Sequence, residues 1–416
     1  MLTSLPTWTT PERRLIRACL HIGMPESCIQ EATALIRDHE IDWEYVTGIM
    51  ERSKVRALCY TNLLALPHGI LDPALRTRLQ EYVTRAAWRA MRSKGELIAI
   101  LRAFQGAGIE TVLFKGVMLA EAAYGSILLR EFSDHDLLIR REAAEAAREA
   151  LAPLGYKASH TIDALKRLRR RADALYHTGD GLSLDLHWQL IEDWRNHLGD
   201  LDPFREHTQA TTWNGFHIRV FQDEFLLIFL CLHGYRHQWE RFSWIVDLTG
   251  FIQRHPRLDW ARVETLTQTY GVADIVEMGL LLAHDVTDCP LPPHILARLQ
   301  TNTKICALLP TVYSVLFPDK RLVSDYSPRG REQTYRFQFM LVRRWFRVRL
   351  LYRMMIGRID WRPNAADRAW VQLPPPLGFL YVVLRPLRLV VQYSGSQVRQ
   401  LRYVIARRRT PGDRAN

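Results

Sequence analysis

Two aspartates separated by one residue precede an apolar, strand-like run in the stretch 131-EFSDHDLLIR-140. Because successive side chains of a strand point to opposite faces of a sheet, we expect Asp134 and Asp136 to project together from one face. Two carboxylates held this close repel each other unless a cation lies between them, and burying either one unpaired is costly. A fold that contains this strand must therefore supply a cation or leave the aspartates in a turn, where such residues are also common.

A third carboxylate interrupts a second alternating run, 182-LSLDLHWQL-190. Asp185 has no packing reason to lie in an apolar strand, and it therefore favours the metal-site interpretation of the first pair. The alternative for Asp185 is an acid at the edge of a strand that pairs with an arginine. Carboxylate oxygens suit Mg²⁺, which binds one or two carboxylates together with substrate phosphates. We predict that Asp134, Asp136 and Asp185 are the catalytic residues and the metal ligands of a site that holds two Mg²⁺ ions.

The surrounding sequence alternates between helix-like and strand-like segments. Residues 109–115, 135–139 and 156–160 are strand-like, and a helical segment lies between the first two. This alternation predicts a layer of strands and helices. Apolar residues at three- and four-residue spacing predict helices on both sides. We divide the chain into an N-terminal helical region (1–95), a core (96–222), a helical domain that completes a cleft (223–330) and a basic helical tail (331–416).

The segment 113-LFKGVMLAEAAYGSILLREFSDHDLLI-139 resembles the active-site signature of nucleotidyltransferases of the polymerase-β type. More narrowly, the chain is similar to a bacterial branch called the uncharacterised nucleotidyltransferase family, over about residues 95–260. The residues that carry the resemblance are Lys115-Gly116, Leu119-Ala120, Arg130, Asp134-His135-Asp136-Leu137-Leu138, Leu186-His187-Trp188 and 233-HGYRHQWERFSWIVDL-248.

The resemblance implies an α+β fold, in which a polymerase-β-like core with a small mixed sheet is flanked by helical N- and C-terminal regions. It also implies a magnesium-dependent transferase that binds ATP or another NTP. Such an enzyme moves a nucleoside monophosphate to an acceptor, here unknown, and releases pyrophosphate. The competing interpretation is a catalytically degenerate protein of the same fold, which binds or regulates a partner by docking through its basic tail.

The glycine turn before the first aspartate departs from the wider superfamily, which usually has Gly-Ser or Gly-Gly closer to the aspartate pair. Here the turn is Lys115-Gly116, and Gly116 precedes Asp134 by 18 residues. Gly116 permits the backbone to approach a phosphate closely, and Lys115 would replace the serine as a cationic contact. The alternative for Lys115 is a strand-end lysine whose amine reaches water.

Arg130 and Ser133 complete the predicted nucleotide-binding residues. Arg130 lies four residues before Asp134, where it either binds the triphosphate or pairs with an acid such as Glu131 or Asp134. Ser133 either donates to a phosphate or caps the turn before the strand. The sequence leaves both pairs of alternatives open.

Three histidines are candidates for the acceptor pocket. His187 shares a strand face with Asp185, and His233 and His237 share a helix face because they are four residues apart. Each of them either lines the pocket or packs in the protein interior. We do not expect the helical pair to bind zinc, because the glutamate of the H-E-x-x-H motif is missing.

The positive charge is concentrated in the tail. Residues 331–416 hold 18 Arg, no Lys and four acidic residues, which gives about +14, whereas the whole chain carries +12. Such a tail suits a peripheral membrane surface or an acidic partner, or consists of helices packed with Arg pointing outward. We do not expect nucleic acid as a partner.

Compartment and membrane signals are weak. The six cysteines form no C-x-x-C pair, and no run reaches the roughly 18 apolar residues of a membrane span. The first twenty residues lack the pattern of a secretory leader. We therefore expect a cytoplasmic protein, with peripheral membrane association through the tail as an option.

Overall fold

The computed structural model describes residues 8–158, 172–177, 179, 181–188 and 206–318, together with individual positions between 370 and 388. The chain divides into two compact units, residues 1–342 and residues 343–416. In the second unit, the Tyr381 hydroxyl donates to the carbonyl of Val371 at 2.7 Å and accepts from the backbone N–H of Leu373 at 3.1 Å. The predicted basic helices of the tail lie largely outside the described residues, and their assignment stays a prediction.

The N-terminal region is helical, as its apolar spacing predicted. It consists of α1 (Pro11–Cys19), α2 (Glu26–Asp38), α3 (Trp43–Arg52), α4 (Arg56–Leu64) and the 34-residue α5 (Pro73–Gly106). The side chain of Asp72 caps α5 by accepting from two backbone N–H groups. The boundary predicted after residue 95 falls inside α5, because the helix continues through Gly95. A glycine inside a helix costs about 1 kcal/mol relative to alanine, which burial of Leu97, Ile100 and Phe104 offsets.

Within the described part of the chain, seven strands form one mixed sheet with the order β3-β4-β5-β2-β1-β7-β6. The strands are β1 (Thr111–Leu113), β2 (Asp134–Ile139), β3 (Tyr156–Ala158), β4 (Ala172–His177), β5 (Ser183–His187), β6 (Thr208–Trp213) and β7 (Phe216–Phe221). β2 is parallel to β5 and antiparallel to β1, whereas β1 is parallel to β7. The sequence predictions located β1, β2, β3 and β5 but not β4, β6 and β7.

One face of the sheet is covered by α5 and α7 (Ala144–Leu151). Their apolar side chains pack against alternate residues of the strands, including Leu137, Ile139, Leu184 and Leu186. Between β1 and β2 the chain forms α6 (Gly116–Leu119), which continues as a π-helical turn over Ala120–Tyr124. The opposite face of β2 and β5 carries the polar side chains of Asp134, Asp136, Asp185 and His187 together with the buried Leu138.

The helices after β7 pack on the remaining side of the core. They are α8 (Asp223–Arg236), α9 (Phe242–Arg254), α10 (Trp260–Thr269), α11 (Ala273–Thr287), α12 (Pro293–Thr301), α13 (Thr303–Cys306) and α14 (Leu309–Leu316). α9 lies so close to the π-helical turn that a Cβ on Gly250 would be 2.4 Å from the carbonyl oxygen of Ala123. The fold is therefore α+β, a small mixed sheet with helical flanks, which confirms the predicted fold class. In the described part of the chain, no helix has the length and apolar character needed to cross a membrane.

Candidate active site

The carboxylates lie on β2 and β5, which are hydrogen-bonded neighbours in the sheet. The register places Asp136 directly opposite Asp185 and Asp134 opposite Ser183. Because side chains alternate along each strand, all three aspartates share one face. On the other face, Leu137, Leu184 and Leu186 point into the core. The structure thus brings Asp136 and Asp185 side by side, with Asp134 two residues further toward the start of β2.

Asp136 has a partner at each carboxylate oxygen. Its Oδ1 lies 2.8 Å from Nε2 of His187, and its Oδ2 lies 3.4 Å from Nζ of Lys115. Burial by itself would raise the pKa of Asp136. The charge of Lys115 and the hydrogen bond from His187 outweigh burial, and they hold the pKa of Asp136 well below its ordinary value. Asp136 is therefore ionised at neutral pH.

Asp185 shows the opposite behaviour. Burial raises its pKa, the negative charges of Asp136 and Asp134 raise it further, and the opposing effects of His187 and Lys115 do not compensate. This pattern is expected where carboxylates face one another with too little positive charge between them. A divalent cation between Asp136 and Asp185 would remove the repulsion.

The chemistry of the side chains fits a divalent cation. One potential ligand atom from each of Asp136, Asp185 and His187 lies within 4.8 Å of the other two. Carboxylate oxygens suit Mg²⁺, and the imidazole nitrogen also suits transition metals. Asp134 is half-buried on the same face and is not part of this closest group of described residues.

Lys115 and Gly116 form the turn between β1 and α6. Gly116 has φ +57°, a left-handed conformation that other residues adopt only with strain. A Cβ here would have room, since its nearest neighbour would be the carbonyl oxygen of Asp134 at 3.9 Å. The backbone conformation therefore explains the glycine. Lys115, the residue before Gly116, extends toward Asp136. Its ammonium lies 5.8 Å from the ring centroids of both Phe114 and Phe229.

Arg130 is held by an acid that the sequence predictions did not consider as its partner. Its Nε and a terminal nitrogen donate to the two oxygens of Asp247 on α9, at 2.8 Å and 3.0 Å. Tyr124 also donates to Asp247, at 2.9 Å. The carboxylate of Asp247 is 2% exposed, and its charge helps to raise the pKa of Arg130 despite the opposing effect of burial. Arg130 is thus engaged in a closed, bidentate pair that ties the start of β2 to α9.

Ser133 and its neighbourhood contain residues that the sequence analysis missed. Ser133 accepts a hydrogen bond from Nζ of Lys54, at 3.0 Å, so that the N-terminal helical region reaches the aspartate pair. Glu131 accepts from Arg56 at 3.2 Å and from Tyr82 at 2.8 Å, which anchors α4 and α5 to the same segment. One feature of the sequence could have drawn attention to Lys54. Lysine is rare in this chain, since only seven of its 56 basic residues are lysines.

His233 lies on α8 and His237 directly follows the end of that helix, and both belong to an aromatic cluster with Trp244. The His233 ring centroid is 5.4 Å from that of Trp244, and the two histidine ring centroids are 5.0 Å apart. Burial lowers the pKa of both histidines, Lys115 lowers it further, and Arg236 contributes to the same shift at His237, where the pKa is about 4. Both are therefore neutral at pH 7. At His233 the negative charge of Asp136 partly opposes this lowering of the pKa.

A cavity of about 420 Å³ lies beside this site without containing it. It is bounded by α5 and by residues 128–132, and its lining includes Tyr82, Arg89, Phe132 and Leu182. None of the three aspartates lines it. The cavity therefore opens next to the starts of β2 and β5, separate from the carboxylates themselves.

The family match agrees with the resemblance seen in the sequence. The family described as uncharacterised nucleotidyltransferase matches residues 39–288, a range that includes Lys54, the three aspartates and α8 to α11. Comparison with curated proteins gave no match. One similar solved structure is the solution structure of the antibiotic-resistance factor ANT(2'')-Ia. It is 14% identical, covers 42% of this chain and 90% of its own chain, and has a TM-score of 0.31.

Proposed function

The chain belongs to the uncharacterised nucleotidyltransferase family, and from this premise we propose that it is a metal-dependent enzyme. It would transfer a nucleoside monophosphate from an NTP to an acceptor and release pyrophosphate. Family membership supports a nucleotidyl transfer role in general, and such enzymes generally use a divalent metal ion and an NTP. The observation that carries the proposal is the cross-strand pair of Asp136 and Asp185 with Lys115 beside it.

The residues that would hold Mg²⁺ are Asp134, Asp136 and Asp185, with His187 next to them. When bound, two such ions lower the pKa of the attacking hydroxyl and neutralise charge on the triphosphate and the leaving pyrophosphate. The contribution of the chain is to present ionised oxygens on one face. Asp136 is already ionised, and the raised pKa of Asp185 reflects a need for positive charge.

The phosphate contacts are assigned to Lys115, Gly116 and Ser133. The ammonium of Lys115 points into the carboxylate face, so a phosphate that binds beside Asp136 lies within its reach. Gly116 keeps the backbone of the turn accessible, because it carries no side chain. Arg130 receives a different role here: its bidentate pair with Asp247 braces the start of β2, and no phosphate contact is needed to explain it.

The acceptor is placed between the carboxylate face and α8. Its hydroxyl oxygen would form a bond to the α-phosphorus of the NTP, the bond to pyrophosphate would break, and the proton would pass to Asp185. His187, His233 and His237 would line the acceptor side. Since His237 is neutral at pH 7, this wall offers ring faces and hydrogen bonds instead of charge.

A second function is favoured by one observation. Both oxygens of Asp136 already have partners, since Lys115 and His187 lie where a cation would bind. A protein that had lost metal binding could keep this arrangement as an internal ion pair and serve as a binding or regulatory module. In that case, the fold would hold a partner and not a reacting NTP.

Labelled nucleotides separate the two functions. The protein is incubated with each of the four NTPs labelled at the α-phosphate, with Mg²⁺ and a cell extract as the source of acceptor. The enzyme interpretation predicts a labelled product and released pyrophosphate that both require Mg²⁺. The Asp136→Asn and Asp185→Asn variants are expected to lose the labelled product, whereas Asp38→Asn, at an exposed site on α2, keeps it.

A result in which the wild-type protein labels nothing with any NTP, yet still binds an NTP, would support the binding module. Labelling that persists in both site variants would contradict the assignment of the carboxylates. A product that is independent of Mg²⁺ would contradict the metal requirement.

A further inference from the structure

Lys54 reaches the aspartate pair from a part of the chain that precedes the sheet by more than fifty residues. It lies in the turn between α3 and α4, and its Nζ donates to Oγ of Ser133, the residue next to Asp134. The turn is fixed to α9, because the carbonyl of the buried Ser53 accepts from the backbone N–H of Ser243 at 3.2 Å. The lysine is therefore placed by two packed helical regions.

The backbone of Lys54 is strained. Its φ of +53° is left-handed, a conformation that glycine adopts freely and that other residues adopt only with strain. Glycine would satisfy the turn better, so local folding does not account for a lysine at this position. Strain of this kind persists where the surrounding structure enforces it, and it gathers at functional sites.

The carboxylates near Lys54 do not fully offset burial and the neighbouring positive charge. Burial lowers the pKa of Lys54, the nearby positive charge of Arg241 lowers it further, and the charges of Asp134 and Glu131 only partly oppose this. Glu131 already binds Arg56 and Tyr82. Two cations thus lie near each other at the start of β2, an arrangement that a bound polyanion would stabilise.

The strand geometry indicates which part of an NTP would lie there. Strand residues rise about 3.3 Å each, so Asp134 lies roughly 6–7 Å along β2 from Asp136. The proposed reaction centre is at Asp136 and Asp185, beside Lys115. A triphosphate that extends from this centre along β2 toward Asp134 brings its outer phosphates to Lys54.

We propose that Lys54 binds the β- and γ-phosphates of the NTP, so that the N-terminal helical region forms one wall of the nucleotide site. The inference rests on the proposed function and extends it, because Lys115 and Lys54 then hold opposite ends of the triphosphate. It also gives a reason for the family match to begin at residue 39, well before the sheet.

Inorganic tripolyphosphate with Mg²⁺ is the probe, since it contains the part of the ligand that every NTP shares. Its affinity is measured by isothermal titration calorimetry for the full-length wild-type protein, Lys54→Met, Lys54→Gly and the control Lys157→Met, whose lysine is exposed on the edge strand β3. Losing one charge-assisted hydrogen bond is expected to weaken binding by about 10- to 100-fold in both Lys54 variants. The control is expected to bind like the wild type.

Thermal unfolding of the same proteins separates phosphate binding from a structural role. Lys54→Gly removes the backbone strain, so its midpoint is expected to equal or exceed that of the wild type while tripolyphosphate binding is lost. Equal affinity in wild type and Lys54→Met would overturn the proposal and leave the proposed function standing. Failure of the wild type to bind the probe would overturn both, and a lower midpoint for both Lys54 variants would make the lysine structural and overturn the proposal.

Discussion

The two faces of β2 and β5 are built from alternating residues of the same two strands, and they differ in packing and in charge. On one face Leu137, Ile139, Leu184 and Leu186 are at most 1% exposed and pack under α5 and α7. On the other face the aspartates lie with His187 and Lys115, and their charges are only partly balanced. The apolar face explains why the strands fold. Apolar residues at the positions of the polar face would stabilise the fold better than the charged residues do.

Two ion pairs show the same contrast. Arg130 and Asp247 form a bidentate, buried pair with Tyr124 as a third partner, which leaves little for a ligand to do. Lys115 and Asp136 approach only to 3.4 Å, and His187 shares the carboxylate. The pair of Arg130 and Asp247 has the geometry of a structural brace. Lys115 and Asp136 are arranged so that a bound ion or phosphate can still contact them.

The largest effect is expected on the polar face, from Asp185→Asn. We predict that nucleotidyl transfer falls by about 10³-fold or more, which corresponds to about 4 kcal/mol of transition-state stabilisation. The unfolding midpoint of the metal-free variant is expected to stay level or rise, because the repulsion that raises the pKa of Asp185 is removed. Activity assays and calorimetry together check this. A variant with a much lower unfolding midpoint and intact activity would show that Asp185 stabilises the fold and is not needed for nucleotidyl transfer, which contradicts the prediction.

The structural brace is expected to show the next largest effect, and on stability alone. Arg130→Met leaves the buried carboxylate of Asp247 without its main partner, which costs about 3–5 kcal/mol. Adding Asp247→Leu to this variant should restore part of the loss, since no charge then remains buried. Urea unfolding of the two single variants and the double variant measures the coupling. If the losses of unfolding free energy in the two single variants add fully in the double variant, Arg130 and Asp247 do not stabilise the fold as a pair.

The apolar face gives the third prediction. Leu184→Ala on β5 removes a side chain with 0% exposure and should cost about 2–5 kcal/mol of unfolding free energy. Its neighbour Asp185 keeps its position, so binding of Mg²⁺ and NTP below the unfolding transition should change less than about threefold, or 0.7 kcal/mol. Urea unfolding and calorimetric titration test the two statements separately. Loss of binding in a folded Leu184→Ala protein would mean that the faces are not independent.

A smaller, pH-dependent effect tests the wall opposite the carboxylates. Burial and the neighbouring cations lower the pKa of His237 from 6.5 to about 4. Between these values the unfolded chain binds more protons than the folded one. The stability contributed by His237 is therefore complete above pH 6.5 and is lost as the pH falls toward 4, by about 1–3 kcal/mol. Unfolding of wild type and His237→Phe from pH 8 to 4 should show a smaller decline in the variant, and parallel curves would contradict this.

Much of the sheet was predictable, because burial on one face leaves a two-residue period in the sequence. That period located β2 and β5 and put Asp134 and Asp136 on one face. The pairing of β2 with β5, which the period does not record, puts Asp185 on the same face. The β6–β7 hairpin carried a usable signal that the predictions did not apply. Its two turn residues, Asn214 and Gly215, both have positive φ, as a tight hairpin turn requires.

The partners of the site residues were not predictable in the same way. Arg130 pairs with Asp247, 117 positions later, and Lys54 reaches Ser133, 79 positions later. Such contacts depend on how whole helices pack against the sheet, and no local period records them. The two nearby acids considered for Arg130 were reasonable partners by sequence distance alone, and the packing of α9 brought in a third.

The most direct test of the account is to count bound metal on the polar face. Mn²⁺, as a paramagnetic substitute for Mg²⁺, is titrated into the protein with and without NTP and followed by electron paramagnetic resonance, for wild type, Asp136→Asn and Asp38→Asn. We predict NTP-dependent Mn²⁺ binding in the wild type and in Asp38→Asn, and binding weakened by about 100-fold, or 2.7 kcal/mol, in Asp136→Asn. Equal Mn²⁺ binding in wild type and Asp136→Asn, or none in the wild type, would contradict the claim that this face is a metal-dependent nucleotide site.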